Sequence, residues 1–424
     1  MRVHLHNLTN EPVGSPPLRF DFDKLALLAA ESGDVVVMRG RYSQSLFEYL
    51  HTIGCIKDGV HCVYPHRQVH GPYGIFRDAG VARTVVDLMR RSRHGARWRF
   101  DSFIVTNREA QWAREVGLDL HESPDMRRFF HDKGNFRRLA KTYGLSIPAG
   151  YGSLSTRFAA SLSIAALFAR GFREVMLKPE NGEMGTGIQS VTRTSFLKSL
   201  FGRRTADDPV GQVLQDVPKH GPEARCIVEG RYPVAQSPCL LFRIDQNGSV
   251  EHLATHLQHF NDFTCDGIYS HQWVPAHVRP RLVAEAGHFL RLLSRDGLRG
   301  FIVMDAIVTD RGEVRWVDLN VTRTHTFYPY KIAQRAGDTS LSTPHYASFR
   351  LRKERWVGFH AAALLEELGP ILFTTARGRG VIPYDERYLT TKGILNVVVI
   401  GSGTADVEEL HRSLCADAYL TERR

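Results

Sequence analysis

The stretch at residues 300–323, GFIVMDAIVTDRGEVRWVDLNVTR, constrains this chain more than any other. Apolar and polar residues alternate on both sides of Asp310-Arg311-Gly312, the pattern of two strands joined by a tight turn. Phe301, Val303 and Ile307 mark one arm, and Val314, Trp316 and Leu319 the other. Each arm carries an acid where a buried strand should have none. Asp305 stands between Met304 and Ala306, and Asp318 is followed two places on by Asn320. Side chains on a strand repeat every two residues, so Asp318 and Asn320 share a face. A hairpin brings Asp305 opposite them. Three oxygen ligands on one face suit a hard cation such as Mg2+, which takes few carboxylates and completes its shell with water and phosphate. The alternative is a solvated acidic face. It fits badly with arms that are otherwise apolar, where uncompensated carboxylates are costly.

A second signal lies upstream. EVMLKP (174–179) is an apolar strand ending in Lys178 and Pro179, and ENGEMGTGI follows with Gly182, Gly185 and Gly187. Glycines let backbone N–H groups approach phosphate oxygens, and lysine supplies a point charge. No Gly-Lys-Ser/Thr opens a helix, so this is not a Walker loop. Lys178 precedes the glycines and a strand (188–191) follows, so it is not a dinucleotide fingerprint either. Asp132-Lys133 opens a helix over 135–143 that stops at Gly144 and Pro148. CIVEG (226–230) reads as a strand carrying Glu229. Arg243 sits among apolar neighbours in CLLFRID. A guanidinium there calls for an anion: a structural carboxylate, a transferring phosphoryl group or a substrate carboxylate.

The remaining segments complete a mixed α/β pattern. In residues 1–120, strands are expected at 35–38 and 103–106 and helices at 45–54 and 81–91. Arg39-Gly40-Arg41 is too short to be a phosphate loop, so this unit is expected to bind no dinucleotide. An amphipathic helix is expected at 155–171, then a hairpin from 239–245 and 250–255 around Gln246-Asn247-Gly248. A turn-rich loop at 260–268 and a helix at 279–293 lead into the acidic hairpin. Helices through Ala336 and over 351–368, a strand at 394–400 and a helix from Thr404 to Cys415 close the chain. The net charge of +10 over 424 residues is scattered and not massed in one tail or stripe. Such a diffuse field suits a small anionic ligand as well as a polymer, so an RNA- or DNA-binding protein is a rival reading although no nucleic-acid partner is expected. Cys55, Cys62, Cys226, Cys239, Cys265 and Cys415 form no CxxC pair, so reduced thiols are expected. Neither a signal-peptide core nor a membrane-length apolar run is present. A cytoplasmic protein is the expectation.

The acidic hairpin resembles the C-terminal hairpin of ATP-grasp enzymes, an acid on one strand and acid-x-Asn-x-Arg on the next. Here the second part reads Asp318-Leu319-Asn320-Val321-Thr322-Arg323, with Asp where Glu is usual and the arginine one place late. Strand, Lys178, proline and glycine-rich loop resemble that family's phosphate flap. Asp132-Lys133, the flap, Glu229 and the hairpin occur in family order over about 200 residues. The finer likeness is to the peptide-ligase branch, with Arg323-Thr324-His325-Thr326 and Pro329 as a loose match.

The resemblance implies a pre-ATP-grasp α/β domain (1–122) followed by a two-subdomain ATP-grasp fold. The small subdomain with the flap is expected at 123–230, and the large subdomain with the metal hairpin and C-terminal strand and helix at 231–424. It also implies an ADP-forming ligase that joins a carboxylic acid to an amine, with amino acids or a small peptide as substrates. ATP and one or two Mg2+ are the expected cofactors. Lys133, Lys178, Gly182, Gly185, Gly187 and Glu229 would hold the nucleotide, and Asp305, Asp318 and Asn320 the metal. Arg243 or Arg323 would steady the transferring group. Small molecules are the expected partners, with no nucleic acid or membrane and with room for a homodimer. A kinase, a thiol ligase or a non-catalytic nucleotide binder of the same fold are the rival readings.

Overall fold

The computed structural model describes residues 1–6, 22–65, 74–92, 97–180, 187–201, 225–261, 264–337, 344–415 and 419–420. Three sheets organise them. The first is parallel, built from β1 (Arg2–Leu5), β2 (Val35–Val37), β3 (His61–Val63), β4 (Arg99–Ser102) and β5 (Asp119–Leu120) in the order β3-β2-β1-β4-β5. Val3, Leu5, Val35, Val37, Val63 and Phe100 turn one face of it into a core with Val81, Val85, Trp112 and Ala113 of two flanking helices. The helix Asn107–Val116 starts in a Thr106/Glu109 capping box and ends at a left-handed Gly117.

The second sheet has four antiparallel strands, β6 (Gly150–Leu154), β7 (Glu174–Pro179), β8 (Gln189–Thr192) and β9 (Cys226–Gly230), ordered β6-β9-β7-β8. It packs on the Arg157–Ala169 helix. The third sheet holds ten strands. β10 (Val234–Gln236), β14 (Gly300–Thr309), β11 (Pro238–Ile244), β12 (Val250–Asn261), β13 (Thr264–Ser270), β16 (His345–Arg352), β18 (Ile394–Gly401) and β17 (Gly380–Tyr388) run in that order. β15 (Val314–Asn320) pairs with β14, and β19 (Tyr419–Leu420) with β16. One core joins the third sheet to the amino-terminal unit, combining Leu28, Met38, Leu46 and Phe103 with Leu241, Val303, Tyr328, Ile332, Val398 and Ile400. On the opposite face Leu240, Met304, Trp316 and Leu319 pack against Leu282, Phe289 and Leu293 of the Arg279–Arg295 helix.

Three sequence expectations are corrected. The fourth parallel strand is Arg99–Ser102, not 103–106, because Phe103 and Ile104 leave the sheet for the core between the two units. Residues 260–261 and 264–268 are strand and not loop, with Asn261 paired to Thr264 and Gly267 beneath the Phe349 ring. Residues 345–352 form a central strand that alternates Tyr346 and Ser348 against Ala347, Phe349 and Leu351, and the helix begins only at Ala361.

Candidate active site

The acidic hairpin forms as its pattern requires. Asp305 of β14 lies in register with Asp318 of β15, and Val303 with Asn320. A bulge between Asp305 and Ala306 shifts the register there. It moves the buried set from Val314 and Trp316 to Leu319 and Val321, and so leaves Asp318 and Asn320 facing away from the Trp316 core. Asn320 Nδ2 donates to Asp305 Oδ2 at 2.8 Å. Asp305 Oδ1 is buried and receives no well-directed hydrogen bond among the described residues, although the Gln258 side chain also lies against this carboxyl. Burial, followed by the neighbouring Asp318 charge, pushes Asp305 up to about 7. Two close carboxylates, one unsatisfied oxygen and an amide fit a hard divalent cation, which would take the Asn320 carbonyl after the amide turns over.

Lys133 reaches this face from the first turn of the Lys133–Thr142 helix, capped by Asp132. Its Nζ lies 3.3 Å from Asp318 Oδ2, and the residue is buried. His131, held neutral by burial and by the Arg127 and Lys133 charges, accepts the Val321 N–H at 3.3 Å. That bond ties the end of the preceding helix, Pro124–His131, to the residue that follows β15.

Lys178 and Glu229 face each other across the β7–β9 pair. Lys178 Nζ sits 2.7 Å from Glu229 Oε2, and Arg137 Nη1 grips Oε1. Burial alone would raise this carboxyl, but the Lys178 and Arg137 cations outweigh it and hold Glu229 below the usual range. Both oxygens are therefore engaged, and Glu229 acts as an anchor between two cations. Arg137 escaped the sequence reading, although it lies four residues after Lys133 on one helix face. Gly187 has φ +75°, and a Cβ there would press on the Pro179 ring at 2.9 Å. Gly182 and Gly185 lie outside the described residues.

Neither arginine expected at the transferring group joins this site. Arg243 pairs in register with Phe301, four residues or about 13 Å along the strands from Asp305. Its guanidinium is half exposed and bound to Glu251 at 2.6 Å. Beside it opens a cleft of about 200 Å³ lined also by Arg2, Arg99, His121 and Glu122. Arg323 is buried, binds Asp101 and the Ser102 carbonyl, and stacks on Phe301 at 4.2 Å. These contacts hold it in the seam with the parallel sheet.

No family model and no curated protein matches the sequence. Solved structures do match over nearly the whole chain. A biotin carboxylase from Campylobacter jejuni is 12% identical with TM-score 0.61, covering 99% of this chain and 91% of that one. An N5-carboxyaminoimidazole ribonucleotide synthetase in its ADP complex is 13% identical with TM-score 0.58, covering 92% of each chain. The Thermus thermophilus N5-carboxyaminoimidazole ribonucleotide synthetase is 12% identical with TM-score 0.57, covering 100% and 99%. The chain has the ATP-grasp fold. Strand β7 and the hairpin β14–β15 carry Lys178 and the Asp305, Asp318 and Asn320 trio on separate sheets, and the Lys133–Thr142 helix touches both sides, through Lys133 to Asp318 and through Arg137 to Glu229. No described helix is long and apolar enough to cross a membrane.

Proposed function

We propose that this protein is an ATP- and Mg2+-dependent, ADP-forming ligase that joins a carboxylate to an amine through an acyl phosphate. The observation that carries the reading is the Asp305–Asp318–Asn320 face with its buried Oδ1 and with Lys133 at 3.3 Å. Fold neighbours solved with ADP, with ATP and with MgADP support it. Bound metal would neutralise phosphate charge on this face, as in other phosphoryl transfers. Lys133 and Lys178 bind phosphate oxygens, and Glu229 with Arg137 holds Lys178 in place. A substrate carboxylate attacks the γ-phosphorus, ADP leaves, and the amine displaces phosphate from the acyl carbon. The flap around Gly187 excludes water from the labile intermediate.

The acid is an amino acid or short peptide in the reading drawn from the peptide-ligase resemblance. Bicarbonate is the second candidate, favoured by a neighbouring biotin carboxylase domain solved with MgADP and bicarbonate. The units divide at 122/123 and 230/231, and the protein works as a small-molecule enzyme of the cytoplasm. Purified protein with ATP, Mg2+ and either an amino-acid panel or bicarbonate plus amines should release ADP and phosphate. Asp318→Asn should lose at least 100-fold in kcat at limiting Mg2+ while its circular dichroism is unchanged, removing roughly 3 kcal/mol of transition-state stabilisation. Stoichiometric AMP and pyrophosphate would sink the mechanism.

A further inference from the structure

A second cluster of metal-ligating side chains lies away from the nucleotide face, on the polar side of the parallel sheet. His4 and His6 stand two apart on or just after β1 and so share a face. Asp101 of β4 is paired in register with His4. All three are buried, His4 and His6 completely. His4 Nδ1 lies 2.8 Å from Asp101 Oδ2, and His6 Nε2 lies 3.7 Å from the same oxygen. Neither ring nitrogen completes a well-directed hydrogen bond there. One ligand atom from each residue falls within 4.8 Å of the others.

The far sides of the three residues are fixed independently. His4 Nε2 meets Asp34 Oδ2 at 2.9 Å, and His6 Nδ1 meets the Tyr328 hydroxyl at 2.8 Å. Arg323 holds the other oxygen of Asp101. Metal-bound histidines characteristically hand their second ring nitrogen to a carboxylate or another polar partner, which orients the first toward the ion. Here both do, and the third ligand is clamped as well.

We propose that His4 Nδ1, His6 Nε2 and Asp101 Oδ2 bind one divalent transition-metal ion, zinc in the first instance. Two imidazoles and one carboxylate form a borderline donor set that selects zinc, cobalt, nickel, iron or manganese over Mg2+, which wants oxygen alone. With both rings neutral, Asp34 and Asp101 against Arg323 leave this buried cluster one negative charge in excess, and burying an uncompensated charge is costly. A dication turns that excess into one positive charge, whereas a proton cancels it; what favours the ion is the donor geometry, three inner atoms free to bond it directly with their outer atoms already held. The rival occupant is a proton on His4, shared between Asp34 and Asp101. The ion would tie β1 to β4, and it would fix the His6 ring that bonds Tyr328 of the Phe327–Ala336 helix. The site is structural and separate from the nucleotide chemistry.

The full-length protein, purified without chelator and dialysed against Mg2+ buffer, should carry about one zinc per chain by plasma mass spectrometry. Refolding from urea with Co2+ should give visible absorption that zinc abolishes and Mg2+ does not. A chelator should lower the melting temperature, with zinc restoring it. His6→Gln should lose the metal and the chelator-sensitive part of the melting temperature together. If that variant does not fold, the wild-type cobalt spectrum and chelator shift still decide the question. Zinc below one-tenth per chain after refolding with zinc, no cobalt band, or His6→Gln binding like wild type would each overturn the proposal in favour of the proton alone.

Discussion

Glu122 offers a perturbation whose size follows from its surroundings. It is 7% exposed, lines the cleft beside Arg99 and His121, and packs against Gly300, where any Cβ would strike its carboxyl. Gly300 has φ +101°, so the backbone there is shaped to leave room for the acid. Burial pushes Glu122 up to about 7; Arg323 and Arg127 oppose the shift, Asp101 adds to it, and the Phe301 N–H it accepts favours the anion. The folded protein therefore keeps this proton to about pH 7, whereas the unfolded chain releases it near the ordinary 4.5. Between those values the folded state binds more protons, so this group makes stability fall as pH rises. The loss levels off above pH 7 at about 3 kcal/mol. Glu122→Gln keeps the shape and the acceptor for Phe301 but cannot ionise. Urea midpoints of the two proteins at matched pH should nearly coincide at pH 4.5, then separate in favour of the variant up to pH 8, by about 3 kcal/mol when multiplied by a common slope. A difference that does not change between pH 5 and 8 would refute the claim that Glu122 is buried against its charge.

Glu229→Gln should destabilise by about 3–5 kcal/mol in urea titration, since it leaves Arg137 and Lys178 without their shared anion. A loss below 1 kcal/mol would mean the trio is not closed in solution. Lys178→Met should weaken ATP binding about tenfold or more in calorimetry and lower kcat as well. Unchanged affinity would remove Lys178 from the phosphate contacts. Arg323→Gln should cost about 3–5 kcal/mol of stability by leaving buried Asp101 short of its partner, with the KM for ATP unaltered in whatever folded fraction remains. A selective rise in that KM would restore Arg323 to the active site.

The elements with strong local signals were legible in the chain. Alternation about Asp310-Arg311-Gly312 was enough to place β14 and β15, and the Lys178 strand and Glu229 strand followed from short apolar runs. The bulge too leaves a trace, because the apolar residues of the second arm change phase between Trp316 and Leu319. What stayed hidden depends on partners remote in sequence. Arg323 is drawn away by Asp101, and Glu229 is occupied by Arg137. Residues 103–106 are apolar enough for a strand, yet Phe103 and Ile104 are claimed by a core whose other half lies beyond residue 230. The loop-like letters at 260–268 conceal paired strand residues because turn residues at a strand end resemble those of a loop. Local preference says little about which distant surface a segment meets.

The core shared by the first and third sheets also sets the order in which the molecule can be completed. Leu28, Met38 and Leu46 leave the ribosome early, but Tyr328, Ile332, Val398 and Ile400, which cover them, come late. The bond from His6 to Tyr328 spans 322 residues. At the usual pace of translation that is roughly 15–60 s during which the amino-terminal unit has one face finished and the other open. Strand β1 is made long before the helix that closes over it, so the nascent chain, more than the mature protein, is where this fold is exposed to aggregation.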